Sequence, residues 1–496
     1  MRSIRIVEPF LILLLFLGLV ACVMVPSFIF ALVRGEAVMV RAFAFPMGFA
    51  FAAALPALFL MRRRTLRLRP RDGFMLVFIT WVAASFMGAL PFYLAGGEIP
   101  WDLAHNPASG ISFTDAFFES ACTFATTGAT TLNNIEALPR SLLLWRSMSH
   151  WAGGMGIVLL SVALMPLLGV GGFQLIKAEV PGPEKEKITP KVTATAKLLW
   201  LVYCALTLIL TLLFFIGGMD FFDALCHAFT TMASGGVSTK AQGFASYHSA
   251  FIDGTATVFM LLAGLNFNLY YRLLRGKFRD LITNTEGRVY LLIFLVASAA
   301  MSLTLIPKYG SALTAVRYAT FEAASILSTT GTSLVDYETW PGFARMILFC
   351  LMFIGGCSGS TAGGIKVIRH VVLFKQTGNE LRRTIFPRGI FSVQLNKKVG
   401  RRDVVYGVAG FVFLYMIIVM GTTLISAASG IDLFTSFSAA LSITGNIGAG
   451  FGGVGSAGNF GAFPDHLKWL YSFVMIAGRL ELWTVFILFT REYWRS

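Results

Sequence analysis

"TFATTGATT", residues 123–131, sets small and hydroxyl-bearing residues around one glycine, Gly128, in a chain that is otherwise strongly apolar. Three stretches echo it: "TMASGGVST" (231–239), "LSTTGTSL" (327–334) and "TGNIGAGFG" (444–452). Aligned without gaps on Gly128, Gly236, Gly331 and Gly448, they recur 95 to 117 residues apart. That interval is too long for a solenoid repeat and suits a two-helix membrane unit with a loop between its helices. The frame extends backwards: "DAFFESACTFATTG" (115–128) stacks on "DALCHAFTTMASGG" (223–236), "YATFEAASILSTTG" (318–331) and "TSFSAALSITGNIG" (435–448), and Glu119 coincides with Glu322. Each segment predicts a short helix of about 8–10 residues. At 1.5 Å per residue it reaches only about 15 Å, half the hydrocarbon thickness, so it must enter and return.

The chain of 496 residues is 56% hydrophobic and only 13% charged, against about 25% charged in an average soluble domain. Apolar runs of about 20 residues recur throughout, which makes this a polytopic integral membrane protein. Spans are expected at about 9–33 and 42–61, then in pairs around each loop: 73–95 and 145–170, 198–216 and 251–274, 288–307 and 343–372, 403–427 and 466–490. The expected architecture is all-α, with ten spans and four re-entrant segments. It divides into an N-terminal helix pair (1–72) and four span–loop–span repeats (73–175, 176–280, 281–385, 386–496).

The net charge of +15 is concentrated in "RRRTLRLRPRD" (62–72), "RLLRGKFRD" (272–280), "KQTGNELRRTIFPR" (375–388) and "NKKVGRRD" (396–403). Short basic loops mark the cytoplasmic side of a membrane protein, so the charge sets topology and does not imply a nucleic-acid partner. The basic flanks lie outside every span–loop–span block. All four loops are therefore expected to enter from the non-cytoplasmic side, with both termini cytoplasmic. "LVAC", ending at Cys22, resembles a lipoprotein cleavage site, but the apolar run continues past it, which favours an uncleaved first helix. The six cysteines form no CxxC pair and are expected as small buried hydrophobes. The histidines have no metal-ligand spacing, and no Walker or GxGxxG motif stands between a strand and a helix.

Non-helical backbone at membrane depth is tolerated only where protein or water covers it. Four such loops around one axis bring carbonyls together, and carbonyl rings replace the hydration shell of a monovalent cation. Glycine permits the turn, nearby threonine and serine hold it, and the helix C-termini favour a cation. Glycines that merely allow close helix packing are the blander reading of any single loop. Four loops in register favour a pore.

At these residues the chain resembles the TrkH family, membrane subunits of bacterial Trk potassium uptake systems, within the TrkH/TrkG/KtrB/HKT superfamily. The resemblance spans essentially the whole chain and includes "HWAGGMGIVLLSVALMP" (150–166), "KAEVPGPEKEKITPKVTATAKLLWLVY" (177–203), "FIGGCSGSTAGGIKVIRH" (353–370) and "AGRLELWT" (477–484). It implies potassium uptake across the bacterial inner membrane, with potassium as substrate, no bound cofactor and no other metal. It also implies a homodimer and a TrkA-type nucleotide-binding regulatory subunit on the cytoplasmic face. The family's filter glycines carry over to Gly128, Gly236, Gly331 and Gly448. The residues before them, Thr126–Thr127, Ser234–Gly235, Thr329–Thr330 and Asn446–Ile447, would add carbonyls. Glycine in all four loops is the potassium-type pattern, whereas related plant transporters with serine in the first loop prefer sodium. Each loop departs from the longer TVGYG signature of potassium channels, so a shorter filter is expected.

Inside the second span of the third repeat, "GGCSGSTAGG" (355–364) is too rich in glycine and serine to stay helical. The resemblance makes it a gate, carried by Gly355, Gly356, Ser358, Gly359, Ser360, Thr361, Gly363 and Gly364. Lys366 and Arg369 follow and are expected to snorkel to the cytoplasmic edge. Arg479 lies deep in an apolar run, where a charge needs a water-filled cavity or a carboxylate. Glu481, two residues on, would face elsewhere on a continuous helix. The resemblance places Arg479 beside the conduction path as an electrostatic barrier; the alternative is a structural ion pair. No acid/base or metal-ligand pair within spans suggests an enzyme. The rival transport mechanism is a proton- or sodium-coupled secondary symporter, whose usual inverted repeats differ from the parallel ones expected here.

Overall fold

The computed structural model describes residues 7–62, 70–96, 111–154, 156, 192–395, 398–399 and 402–495. They are helical throughout, apart from loops and a two-residue antiparallel ladder pairing Gln394–Leu395 with Lys398–Val399. In chain order the helices are α1 (Val7–Arg34), α2 (Ala37–Arg62), α3 (Pro70–Ala95), α4 (Phe113–Phe124), α5 (Arg140–Gly154), α6 (Val192–Ile216), α7 (Phe221–Met232), α8 (Ala250–Gly264), α9 (Phe267–Leu274) and α10 (Phe278–Thr283). They continue with α11 (Thr285–Tyr309), α12 (Ala312–Leu327), α13 (Gly342–Leu351), α14 (Val367–Ile385), α15 (Arg402–Ala428), α16 (Leu433–Gly445), α17 (Asp465–Arg479), α18 (Leu482–Phe486) and α19 (Arg491–Arg495).

Six of these are apolar and long enough to cross a bilayer unbroken: α1, α2, α3, α6, α11 and α15. α1 runs straight through Cys22. Their outward faces carry large exposed apolar side chains, among them Phe49, Leu201, Leu295 and Phe413. Such a girdle is unfavourable in water and natural against lipid.

The second spans of the second and fourth pairs differ from the continuous helices expected, and that of the third is interrupted where its glycines and serines predict. α8 and α9 meet at a 95° bend, and α17 and α18 (with the turn that follows it) at 113°. α13 and α14 are separated by fifteen irregular residues, 352–366. In the first pair, α5 is described as far as Gly154, and most of the remaining expected span to 170 lies outside the described residues. So do 177–191, 97–110 and parts of the basic loops 62–72 and 396–403. Glycine stands at or beside the two bends, at Gly264 and Gly478, and in the irregular stretch after α13, at Gly355–Gly356. The freed backbone groups at the α8–α9 bend bond to the loop after α13. The carbonyl of Gly264 accepts from the amide of Cys357 at 2.8 Å, and the amide of Phe267 donates to Gly359 at 3.0 Å.

The short helices are longer than the 8–10 residues expected: α4 and α7 have 12, α16 has 13 and α12 has 16. At 1.5 Å per residue even 16 residues reach only about 24 Å, so none spans. Side-chain caps start three of them. Ser112 accepts from the amide of Asp115 at 3.0 Å and Asp432 from that of Thr435 at 3.0 Å, and Ser311 stands before α12 in the same way. Each short helix packs beside the second span of the preceding unit: α7 on α5, α12 on α8, and α4 on α17. Phe349 of α13 stacks on Phe434 of α16 at 6.0 Å. Arg317 of α12 pairs with Asp253 of α8, and Lys468 of α17 with Asp115 of α4 at 2.6 Å. The last contact closes the circle.

Candidate functional site

The four short helices end in one shared motif. At Thr126, Ser234, Thr329 and Asn446 the backbone turns left-handed, with φ of 52°, 57°, 56° and 53°. Each of these amides donates three residues back, to Thr123, Thr231, Ile326 and Ile443. The next amide, on Thr127, Gly235, Thr330 or Ile447, donates five back, to Cys122, Thr230, Ser325 or Ser442. This is the Schellman pair of bonds, which normally has glycine in the left-handed position. Here Thr126, Ser234 and Thr329 occupy it at a cost of about 1–2 kcal/mol each, and Asn446, a residue that tolerates this conformation, at less.

The glycine two places on is held by space as well as angle. Gly128, Gly236, Gly331 and Gly448 all have positive φ, between 68° and 89°. A Cβ at Gly128 would overlap the carbonyl oxygen of Gly235, one at Gly236 that of Thr330, one at Gly331 that of Ile447, and one at Gly448 that of Thr127. Each glycine therefore abuts the carbonyl of the next loop, and the fourth returns to the first.

Above the ring lies a cavity of about 180 Å³ lined by all four glycines, with Arg146 and Lys240 as its charged lining residues. Arg146 is neutralised by Glu119 at 3.1 Å, both fully buried. Lys240 makes no ion pair among the described residues. Glu119 also accepts from the amide and hydroxyl side of the outgoing strand, at Thr131 N and Thr130 Oγ1, both 2.6 Å. Its counterpart Glu322 accepts from Leu334 N at 2.8 Å. In the second loop His227 faces the Ser238 hydroxyl at 2.9 Å, and in the fourth Ser438 accepts from Phe451 N. Four different side chains thus tie each helix to its own outgoing strand. The strands interlock above the ring, where Tyr337 donates to the Gly450 carbonyl at 2.6 Å and Phe460 N to the Thr130 carbonyl at 2.8 Å.

Residues 352–366 lie on the other side of the ring. Their limbs pair through Gly355 N to Ile365 O (2.9 Å) and Val367 N to Gly356 O (3.2 Å). A Cβ on Gly355 would overlap the opposite limb at Gly363. All eight residues expected as a gate lie in this hairpin. Glu286 of α11, which the sequence reading did not single out, clamps both ends by accepting from Ser358 N at 2.7 Å and Ile368 N at 3.2 Å. Its position at a span's start gave no signal of this long-range role.

Three expectations about charge need correction. Lys366 and Arg369 do not snorkel: both are buried, Lys366 donating to the Ala362 carbonyl and Arg369 pairing with Glu481 while stacking on Phe411 at 3.6 Å. Arg479 faces neither a carboxylate nor the cavity above the ring. It closes α17 and donates to the carbonyls of Thr361, Gly153 (3.1 Å) and Gly154 (3.3 Å). Glu481 sits beyond the helix break at φ 64°, which turns it towards Arg369. The cysteines are free, with Cys122, Cys226 and Cys357 buried; Cys22 and Cys350 are exposed, unlike the buried hydrophobes expected. Among the described residues no cluster of three potential metal ligands exists.

A family model described as "TrkH: Cation transport protein" matches residues 40–496. The Trk system potassium uptake protein TrkH of Salmonella typhimurium is 38% identical over 439 residues, 88% of each chain. That of Halomonas elongata is 36% identical over 494 residues, 98% of each. The crystal structure of the potassium transporter TrkH from Vibrio parahaemolyticus superposes with a TM-score of 0.86 at 32% identity, covering 99% of this chain and 100% of that one.

Proposed function

The chain belongs to the TrkH family of cation transport proteins, and on that footing we propose that the four-glycine ring is the selectivity filter of a potassium uptake pore, with residues 352–366 as its gate. The chain is a membrane transporter whose substrate is potassium, as in its Trk relatives, and not an enzyme; no bound cofactor is implied. The observation that carries the filter reading is the cyclic register, in which each glycine meets the next loop's carbonyl.

A potassium ion entering the cavity exchanges water for carbonyl oxygens of Thr127, Gly235, Thr330 and Ile447 and of the residues flanking them. The C-terminal ends of α4, α7, α12 and α16 converge here, and their partial negative charge lowers the cost of dehydration. With one glycine per loop the filter is short. The 352–366 hairpin blocks the path beneath it, and Arg479 adds a positive charge fixed to that hairpin. We place the loops' entry on the non-cytoplasmic side and both termini in the cytoplasm of a bacterial inner-membrane protein, because the basic loops flank every unit. The repeat boundaries at 73, 176, 281 and 386 belong to this reading, as do a homodimer and a TrkA-type cytoplasmic partner that moves the gate. A proton- or sodium-coupled symport mechanism is the competing reading.

The test is rubidium and sodium tracer flux into liposomes holding the purified protein. Gly128→Ser is expected to reduce rubidium-over-sodium discrimination, since the added Cβ displaces the Gly235 carbonyl. An unchanged ratio removes Gly128 from the filter. Uptake that follows a proton or sodium gradient instead of the potassium gradient favours symport.

A further inference from the structure

The hairpin does more than lie beneath the ring: it bonds to two of the four residues that shape it. Thr361 Oγ1 lies 2.8 Å from Ser234 Oγ, 3.1 Å from the Met232 carbonyl and 3.2 Å from the Ala263 carbonyl. A hydroxyl has one proton, and carbonyls only accept. Thr361 therefore places its single proton between these two carbonyls, and Ser234 donates to Thr361. Two residues on, Gly363 N donates to Thr329 Oγ1 at 2.7 Å. Ser234 and Thr329 are the left-handed residues of the second and third loops, strained positions whose hydroxyls, among the described residues, bond only to the hairpin.

The first and fourth loops are braced otherwise. Asn446 Nδ2 donates to Thr127 Oγ1 and to the Met475 carbonyl, both at 2.9 Å. Thr126 Oγ1 is buried with no hydrogen-bond partner among the described residues. The hairpin packs on the fourth loop at Gly363, where a Cβ would overlap the Gly445 carbonyl and the Asn446 Cβ, without a side-chain anchor there, and Arg479 joins the Thr361 carbonyl to those of Gly153 and Gly154 on α5.

Resting on the filter and gate reading above, we propose that Thr361 is a positioning residue for ion discrimination: the seated hairpin, past which the basal flux leaks, holds the second and third filter loops in their discriminating geometry. When the hairpin withdraws, the Ser234–Thr361 and Thr329–Gly363 bonds break together, and two strained left-handed turns lose their side-chain anchors. Opening and selectivity are then one equilibrium, in which the displaced-hairpin state passes more ions and distinguishes them less well. No separate relay is needed, because the anchoring bonds are direct.

The experiment measures rubidium and sodium influx into liposomes for the full chain and for Thr361→Val, Thr361→Ser and Gly128→Ser. Valine keeps the shape and removes the hydroxyl. Thr361→Val is expected to raise basal flux several-fold and to lower the rubidium-to-sodium ratio about fivefold, and Thr361→Ser to restore both. The ratio does not depend on how much protein folds, so a purely structural loss does not move it. If Thr361→Val does not reconstitute, Ser234→Ala carries the test, with a ratio lowered about twofold. Raised flux at an unchanged ratio overturns the proposal and leaves an independent gate, as does no change in either quantity. Should Gly128→Ser also leave the ratio unchanged, the filter reading itself fails; if it lowers the ratio while Thr361→Val does not, only the coupling fails.

Discussion

The glycine ring and the floor beneath it are built on opposite plans. Around the ring, four segments that share one glycine frame adopt the same backbone: a left-handed residue, two reverse hydrogen bonds and a glycine against a neighbour's carbonyl. In the floor, the four second spans occupy corresponding places and do different things. One bends after Gly264, one opens into a fifteen-residue hairpin, one bends at Arg479, and α5 supplies carbonyls at Gly153 and Gly154. On the proposed reading, an ion needs like oxygens on every side and a blocking element comes from one side, which accounts for a uniform ring and an uneven floor.

The comparison can be broken at the ring first. Gly331→Ala drives a Cβ into the Ile447 carbonyl at a closer approach than Gly128 makes to Gly235. Rubidium uptake is expected to fall at least roughly tenfold, a barrier increase of about 1.4 kcal/mol or more, and by more than in Gly128→Ala. Equal, wild-type flux in both alanine variants would show that the ring tolerates side chains and is not a filter.

The floor is expected to fail in the opposite direction. Deleting Gly359–Ala362 removes the Thr361 anchor and the hairpin's turn, and basal flux is expected to rise roughly tenfold. A folded deletion variant with wild-type basal flux would show that the hairpin does not block the path.

A sharper contrast lies within the ring's scaffold, at two residues in the same frame position. Glu119 is paired with buried Arg146, whereas Glu322 accepts from a backbone amide and has a second oxygen without a partner. Glu119→Gln leaves a buried guanidinium uncompensated and is expected to lose about 3–5 kcal/mol of stability. Glu322→Gln keeps an acceptor and is expected to lose about 1 kcal/mol. Thermal unfolding of the two purified variants measures this, and equal melting temperatures would contradict the assigned role of the ion pair.

Arg479→Ala removes three carbonyl contacts and one positive charge without orphaning a carboxylate. Basal flux is expected to rise two- to fivefold, a change of about 0.4–1 kcal/mol, at nearly unchanged melting temperature. A lower melting temperature with unchanged flux would make the arginine purely a brace. The smallest effect belongs to Lys240, whose charge lines the cavity above the ring and, on the proposed reading, repels entering cations. Lys240→Gln is expected to lower the KM for rubidium about twofold at low ionic strength, with the difference vanishing in high salt as the charge is screened. A KM shift that persists in high salt would rule out this electrostatic origin.

What could be read from the chain alone was local and periodic. Apolar length gives membrane spans, short apolar helices before Gly128, Gly236, Gly331 and Gly448 give re-entry, and glycine density at 355–364 gives a break. These follow from helix rise, bilayer thickness and backbone freedom, none of which depends on distant partners. The coincidence of Glu119 with Glu322 was visible too, but not that one carries an ion pair and the other does not. The left-handed turns at Thr126, Ser234, Thr329 and Asn446 were hidden, because such residues usually avoid that conformation and only the ring's packing holds them in it. The fates of Arg369, Arg479 and Glu481 were equally hidden. Each depends on a helix break and on groups more than a hundred residues away, and only the tertiary structure brings those together. Burial then requires each charge to find a pair or a carbonyl, and the fold decides which one it finds.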